Sequence, residues 1–211
     1  MYVETESNIP IAKGLKSSSV AANAIILATL NALGVETDDF TAINLGVDAA
    51  IHANKSITGA FDDACASFLG NIILTDNLTR TVLKIATIPE DIEVIILVPQ
   101  EKAYTHEADI SKMKLLARYI NVAFQQAFQG NYWDALTLNG ILYSAALGFD
   151  PEPALEALRT GALAAGLTGT GPAIVAVTPS ESVNAVMEAW TSFNGIQIRT
   201  MINHQKAHII Q

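Results

Sequence analysis

A layered α+β fold is predicted by three observations. Two apolar stretches of helical length, residues 17–33 and 38–54, come first. Short β-rich runs follow between residues 71 and 98, and a mainly helical stretch then leads into a closing strand–helix–strand pattern from residue 172. Half of the 211 residues are hydrophobic and 16% are charged, the balance of a core-rich chain rather than a disordered one. The length suits one large domain or two small ones. Two strands, then helices, then β-α-β is an order that segregates helices from antiparallel strands.

In chain order, residues 1–9 leave room for one short strand, in which Val3, Thr5 and Ser7 alternate against Tyr2, Glu4 and Glu6. The first helix is expected over residues 17–33, with Gly34 just past its end. It is apolar almost all round, which predicts burial between other elements. A second helix, residues 38–54, precedes a loop carrying Asp62 and a short helix. Strands are expected at 71–75, 81–88 and 93–98, the last two divided by Pro89-Glu90-Asp91. The unalternating run Val94-Ile95-Ile96-Leu97-Val98 reads as a central strand covered on both faces. Helices follow at 109–129, 133–147 and 153–165, with Pro151 and Pro153 marking the start of the third. A strand at 172–177, a helix at 182–193 and a strand at 196–201 complete the series. A domain boundary is expected near Glu90–Asp91 or Pro99, the first of which divides the chain into 1–90 and 91–211.

A net charge of −9 and a pI near 4.8 oppose general binding to nucleic acid or to anionic membranes, both of which need a basic face. Binding of a nucleotide is not opposed, because local amides and a metal ion decide it. The single cysteine, Cys65, excludes an intramolecular disulfide and points to a reducing cytoplasm. The longest apolar stretch, residues 20–33, is interrupted by Asn23, Thr29 and Asn31 and is too short to span a bilayer. Glu4 and Glu6 without a basic n-region argue against a signal peptide.

The most informative run is Pro10-Ile11-Ala12-Lys13-Gly14-Leu15-Lys16-Ser17-Ser18-Ser19, which opens directly into the first helix. Gly14 permits a tight turn and close approach of backbone to a ligand. Three hydroxyls then fall on a helix first turn, where N–H groups lack intrahelical partners and the macrodipole is positive. That combination binds phosphate. It is not a Walker A loop, since no Gly-x4-Gly-Lys-Ser/Thr occurs. The alternative is an ordinary loop-to-helix entry with Ser17 as N-cap.

Other residues carry two readings each. Asp62-Asp63 either supplies a reactive carboxylate or caps the short helix behind it. Thr137, Asn139 and Tyr143 either face a substrate or are satisfied packing groups; Asn139 and Tyr143 share a helix face. Gly169-Thr170-Gly171 is either a site of close backbone approach or a turn before the Pro172 strand. His204 and His208 have metal-compatible spacing if helical, but no third ligand stands nearby. Cys65, Trp133 and Trp190 read as packing.

Three of these segments together resemble one family. Pro-x3-Gly-Leu-x-Ser-Ser-Ser (10–19) is similar to the phosphate loop of the GHMP kinases. Thr58-Gly59-Ala60-Phe61-Asp62-Asp63-Ala64 resembles the segment carrying that family's catalytic aspartate, and Leu167-Thr168-Gly169-Thr170-Gly171-Pro172-Ala173 its glycine-rich third motif. Within the superfamily, the wording of these segments and of Leu136-Thr137-Leu138-Asn139-Gly140 is most similar to the archaeal type of shikimate kinase, over about residues 3–202.

The resemblance implies the GHMP fold: a ribosomal-S5-like N-terminal part and a ferredoxin-like C-terminal part. It implies ATP-dependent phosphorylation of shikimate in the biosynthesis of chorismate and aromatic amino acids, with Mg²⁺ as cofactor. Asp62 becomes the expected catalytic carboxylate, residues 10–19 the ATP phosphate site, and Ser18 and Asp48 the expected Mg²⁺ ligands. Thr137, Asn139, Gly169, Thr170 and Gly171 are then expected near substrate, and Lys16 as an added positive charge near the triphosphate. Homoserine phosphorylation is the alternative within the family, and a non-catalytic relative the alternative outside it. One departure accompanies the match: the first motif and leading strand pair of the family have no counterpart before Pro10, so the chain reads as the C-terminal three-quarters of such an enzyme.

Overall fold

The computed structural model describes residues 2–53, 59–88, 91–100 and 110–210. Two compact units result, Met1–Ile9 with Lys16–Ile88 and Asn203–Gln211, and Pro10–Leu15 with Pro89–Ile202. Two short segments thus join the unit across the 90/91 division expected from sequence.

The first unit is built from α1 (Ser17–Ala32), α2 (Asp39–His52), α3 (Phe61–Leu69) and the antiparallel hairpin of β1 (Ile72–Asp76) and β2 (Thr81–Ala86). Its core is Ile43, Val47, Phe61, Ala64, Cys65 and Phe68, all buried, with Leu27, Leu30, Ile73 and Val82 packed against them. Asp38 starts α2 by accepting the N–H of Thr41 at 3.0 Å, an Asx cap that satisfies a first-turn donor. The hairpin turns through Asp76, whose Oδ1 accepts the N–H groups of Leu78 and Thr79 at 2.9 and 3.3 Å. Residues 203–210 return to this unit. Asn71 N–H donates to Asn203 O and Ala207 N–H to Phe68 O, each at 2.7 Å, while His204 Nδ1 donates to Asn71 Oδ1 at 2.8 Å.

The second unit is a four-stranded antiparallel sheet in the order β4-β5-β3-β6, formed by β3 (Ile92–Val98), β4 (Ala164–Leu167), β5 (Ile174–Pro179) and β6 (Ile196–Met201). Helices α4 (Ile110–Leu115), α5 (Ala117–Gln129), α6 (Tyr132–Leu147), α7 (Glu152–Arg159) and α8 (Val183–Ala189) complete it. β3 is central, as its apolar run predicts, pairing with β5 on one side and β6 on the other. The core joins Ile95, Leu97, Ile174, Ala176, Val186 and the fully buried Trp190, whose indole N–H donates to Pro153 O at 2.8 Å. α6 crosses β4 where Gly140 lies on Gly166: a Cβ at Gly140 would come within 2.5 Å of Gly166 Cα.

Several expectations are corrected. Residues 3–7 form no strand. α1 is not buried all round; Asn23 is its single buried residue, because α2 and α3 cover one side of the helix only. The expected helix 109–129 breaks at Leu116 into α4 and α5, and residue 109 lies outside the described residues. The expected helix 153–165 ends at Arg159: Gly161 at φ +105° turns the chain, and Ala164 and Ala165 enter β4. Alanine favours helix by propensity, but here small side chains let β4 pass beneath α6. Helix 182–193 is α8 flanked by 3₁₀ turns. Asn54, Thr58 and Glu90, which the sequence reading includes in elements or motifs, lie outside the described residues.

Candidate active site

The phosphate-loop candidate begins in the second unit. There, Gly14 takes φ +78°, and a Cβ on it would meet Thr168 O at 2.3 Å and Gly171 N at 3.0 Å. Thr168 Oγ1–H donates to Gly14 O at 3.2 Å, and Ala173 N–H donates to Lys13 O at 3.1 Å. The loop and the third glycine motif are therefore laced backbone to backbone, which only glycine at position 14 allows. Lys13 is buried and its ammonium donates to Pro99 O, so it serves the framework. Gly169 and Gly171 both take positive φ, and Gly171 is packed against Phe149 and Leu167.

From Lys16 onward the chain belongs to the first unit. Lys16 is the residue before α1 and takes φ 62°, and no side chain caps the helix, so the Ser17 N-cap alternative does not occur. Lys16 O accepts the N–H groups of Ser19 and Val20; those of Ser17 and Ser18 have no partner among the described residues. The hydroxyls of Ser17, Ser18 and Ser19 make no hydrogen bond among the described residues either, and Ser18 is exposed. Free amides, free hydroxyls and the positive end of a 16-residue helix converge, which is the arrangement that receives phosphate.

The acidic turn opens α3 rather than lying in a loop. Ala60 takes φ 47°, and α3 then starts with Phe61-Asp62-Asp63. Asp63 is 14% exposed and pairs with Lys16 Nζ at 2.7 Å. Burial raises its carboxyl above the ordinary aspartate value; the charge of Lys16 opposes the rise and that of Asp62 adds to it. Asp62 is exposed, and its Oδ1 accepts Asn77 Nδ2–H at 2.9 Å. The two carboxylates thus differ in environment: one buried and ion-paired, one facing solvent and hydrogen-bonded.

Other expected site residues take structural parts. Asp48, 62% exposed, pairs with Arg80 at 2.8 Å. Thr137 Oγ1 accepts the N–H of Ala165 at 3.2 Å and so anchors β4 on α6. Tyr143 packs on the second unit's core, whereas Asn139, half-buried, carries a side chain with no hydrogen bond among the described residues. His204 and His208 are not helical, and no group of three or more His, Cys, Asp or Glu suited to a metal occurs among the described residues. Cys65 is buried and its thiol is pushed up to about 12, mainly by burial, so it is inert. No helix among the described residues is long and apolar enough to cross a membrane. Sequence reasoning missed Asn77, because a Thr-Asp-Asn run after a strand signals only a turn.

A helix start with open amides and hydroxyls, an acidic turn tied to it and an α+β frame are features suited to a small-molecule phosphotransferase. Residues 1–71 match the GHMP kinases N terminal domain and residues 127–196 the GHMP kinases C terminal family. Among solved structures, the chain is similar to galactokinase from Lactococcus lactis complexed with galactose, with TM-score 0.72 at 13% identity, covering 96% of this chain and 69% of that one. It is also similar to homoserine kinase from Cytophaga hutchinsonii, with TM-score 0.67 at 17% identity, covering 94% and 69%. In sequence it is 46% identical over 209 residues to a shikimate kinase of Methanothrix thermoacetophila, covering 99% of this chain and 72% of the relative. It is 42% identical over 214 residues to a shikimate kinase of Methanothermobacter thermautotrophicus, covering 99% and 74%. The chain belongs to the GHMP kinase superfamily and, within it, to the archaeal-type shikimate kinase family.

Proposed function

We propose that this chain transfers the γ-phosphoryl group of ATP to a hydroxyl of shikimate, giving shikimate 3-phosphate in the cytoplasm. The observation that carries this reading is the first turn of α1. Two amides and three hydroxyls there have no partner among the described residues, and Lys16 is tied to the residue next to Asp62. The choice of shikimate as acceptor rests on the identity to the shikimate kinases, since the likeness to homoserine kinase is one of fold.

In this reading residues 10–19 hold the β- and γ-phosphates through backbone N–H groups and the helix end. The Lys16 ammonium, held by Asp63, adds a fixed positive charge where negative charge spreads in the loose transition state. Asp62 faces the acceptor hydroxyl, orients it and takes its proton. Gly169, Thr170 and Gly171 support the loop from the third motif, and Thr137 and Asn139 are assigned to the acceptor by the family resemblance alone. We assign residues 1–90 and 91–211 to the two family domains.

Mg²⁺ fits the site through Ser18, whose hydroxyl is exposed and unbonded. This cation keeps several waters and takes phosphate oxygens, so it asks few ligands of the protein. When bound it neutralises charge on the phosphates. Asp48 is committed to Arg80 and would have to release it to serve.

The test is acceptor-dependent ADP release with Mg·ATP. Shikimate is expected to stimulate release where homoserine, galactose and water do not. Stimulation by homoserine but not by shikimate would move the chain to a different acceptor. A folded chain that binds ATP and turns over none of these alcohols would be a non-catalytic relative.

A further inference from the structure

We infer that Asn77, on the β1–β2 turn, is a positioning residue for the Asp62 carboxylate. The inference rests on Asp62 being the catalytic carboxylate.

Asn77 grips Asp62 at two points. Its Nδ2–H donates to Asp62 Oδ1 at 2.9 Å, and its Oδ1 accepts the backbone N–H of Asp62 at 3.1 Å. That backbone N–H is one of the first-turn donors of α3, which has no side-chain cap in the usual N-cap position. An amide side chain can do both only in one orientation, and Thr75 fixes it: Thr75 Oγ1–H donates to Asn77 Oδ1 at 2.8 Å. Thr75, near the end of β1, and Asn77, just past it in the turn, are joined by this bond, and Asn77 reaches α3 through Asp62.

The hairpin that carries Asn77 is irregular. Register shifts between Leu74 and Thr75, where Leu74 faces Lys84 but Thr75 faces Val82, leaving Leu83 of β2 as the extra residue. The bulge therefore lies on β2, and it raises the local twist of the hairpin whose turn carries Asn77. The turn itself is held by Asp76, which accepts from Leu78 and Thr79. The exposed Asp62 side chain, with several rotamers open to it, is thus confined from the hairpin, and one carboxylate oxygen remains for the acceptor. A carboxylate that must meet a hydroxyl within hydrogen-bond reach gains turnover from such confinement without any gain in substrate binding.

The experiment measures kcat and KM for ATP and shikimate in Asn77→Ala, Asn77→Asp and Asp62→Asn, with Tm recorded for each. Asn77→Ala is expected to lower kcat by about ten- to a hundredfold, with both KM values within about threefold of the parent. Asn77→Asp keeps the acceptor for Asp62 N–H and Thr75 O–H but sets two carboxylates against each other, and is expected to lose at least as much kcat. In an Asp62→Asn background, Asn77→Ala is expected to cost no further kcat. If Asp62→Asn is slow while both folded Asn77 variants keep kcat within about twofold of the parent, the positioning role is overturned and Asp62 stands. A loss confined to KM overturns it too. If Asp62→Asn itself keeps kcat within about tenfold, the catalytic reading of Asp62 fails first, and the inference falls with it.

Discussion

Lys16 and Asp63 stand 47 positions apart in sequence and 2.7 Å apart in space. One is the residue that opens α1 and the other lies in the first turn of α3, so an ion pair joins the start of α1 to the acidic turn. The pair does not rest easily. Burial of Asp63 outweighs the attraction of Lys16, and the carboxyl is left above its ordinary value. In a pair of this kind the attraction is set against the cost of burial.

The sign of that trade is measurable. A carboxyl raised in the folded state stabilises most when protonated, below the ordinary aspartate range, and this contribution is lost as pH rises through its folded value. Asp63→Asn, which mimics the neutral form, is therefore expected to match or exceed the parent in Tm at about pH 7, with that advantage disappearing toward about pH 3. Its ATP turnover is expected to fall, because Lys16 loses its anchor. A Tm several degrees below the parent at neutral pH would mean that attraction prevails over burial.

Gly14 and Ser18 separate structure from ligand binding in the cradle. Gly14→Ala puts a Cβ at 2.3 Å from Thr168 O on a residue with φ +78°, so a loss of about 1–3 kcal/mol is expected in urea unfolding, with weakened ATP binding. Ser18→Ala removes an unbonded, exposed hydroxyl and is expected to leave Tm unchanged while raising KM for Mg·ATP. Equal nucleotide affinity in Gly14→Val and the parent would remove the loop from the phosphate site.

Gly140→Ala tests the crossing of α6 on β4. The added methyl would press within 2.5 Å of Gly166 Cα and 2.7 Å of Leu167 N, both backbone atoms that cannot rotate away. A loss of about 1–3 kcal/mol is expected, although alanine is the better helix former. Unchanged stability would show that α6 can lift from the strand at no cost.

Much of this was legible from sequence for a simple reason: periodicity and turn chemistry are local. Ser17 to Gly34 shows its helix and its end, and Ile92–Val98 shows its central place, because each follows from neighbouring residues. What failed was decided at a distance. Ala164 and Ala165 favour helix locally but are claimed by β5 through antiparallel pairing with Val177 and Ala176. The family wording singles out Asp62, yet its partner Asn77 is 15 positions on, and nothing in the intervening residues announces the contact. Lys16 reads as a solvated lysine or a phosphate ligand until folding brings Asp63 to it.

Asn23 is the further case of a residue whose role only packing reveals. Buried on α1, it donates from Nδ2 to Ala64 O at 2.9 Å and to Ser67 Oγ at 2.8 Å, while its Oδ1 has no partner among the described residues. Asn23→Ala is expected to cost about 1–2 kcal/mol, the lost bonds being partly offset by removal of the unmet acceptor. Asn23→Asp should cost more, since it removes both donors and buries a charge. Denaturant midpoints for the two variants give the order directly, and a milder aspartate would contradict it.

The return of residues 203–210 to the first unit bears on how the protein is made. Asn71 meets His204 across 133 positions, and Phe68 meets Ala207 across a similar span. A ribosome releases the three helices and the hairpin early, but the strand of chain that ties α3 to β1 emerges only after every residue of the β3–β6 sheet has been synthesised. Contacts of such sequence separation are slow to close. The unit bearing Asp62 is therefore begun before the β3–β6 sheet and completed after it, so a nascent chain can bury its second core before α3 is tied down.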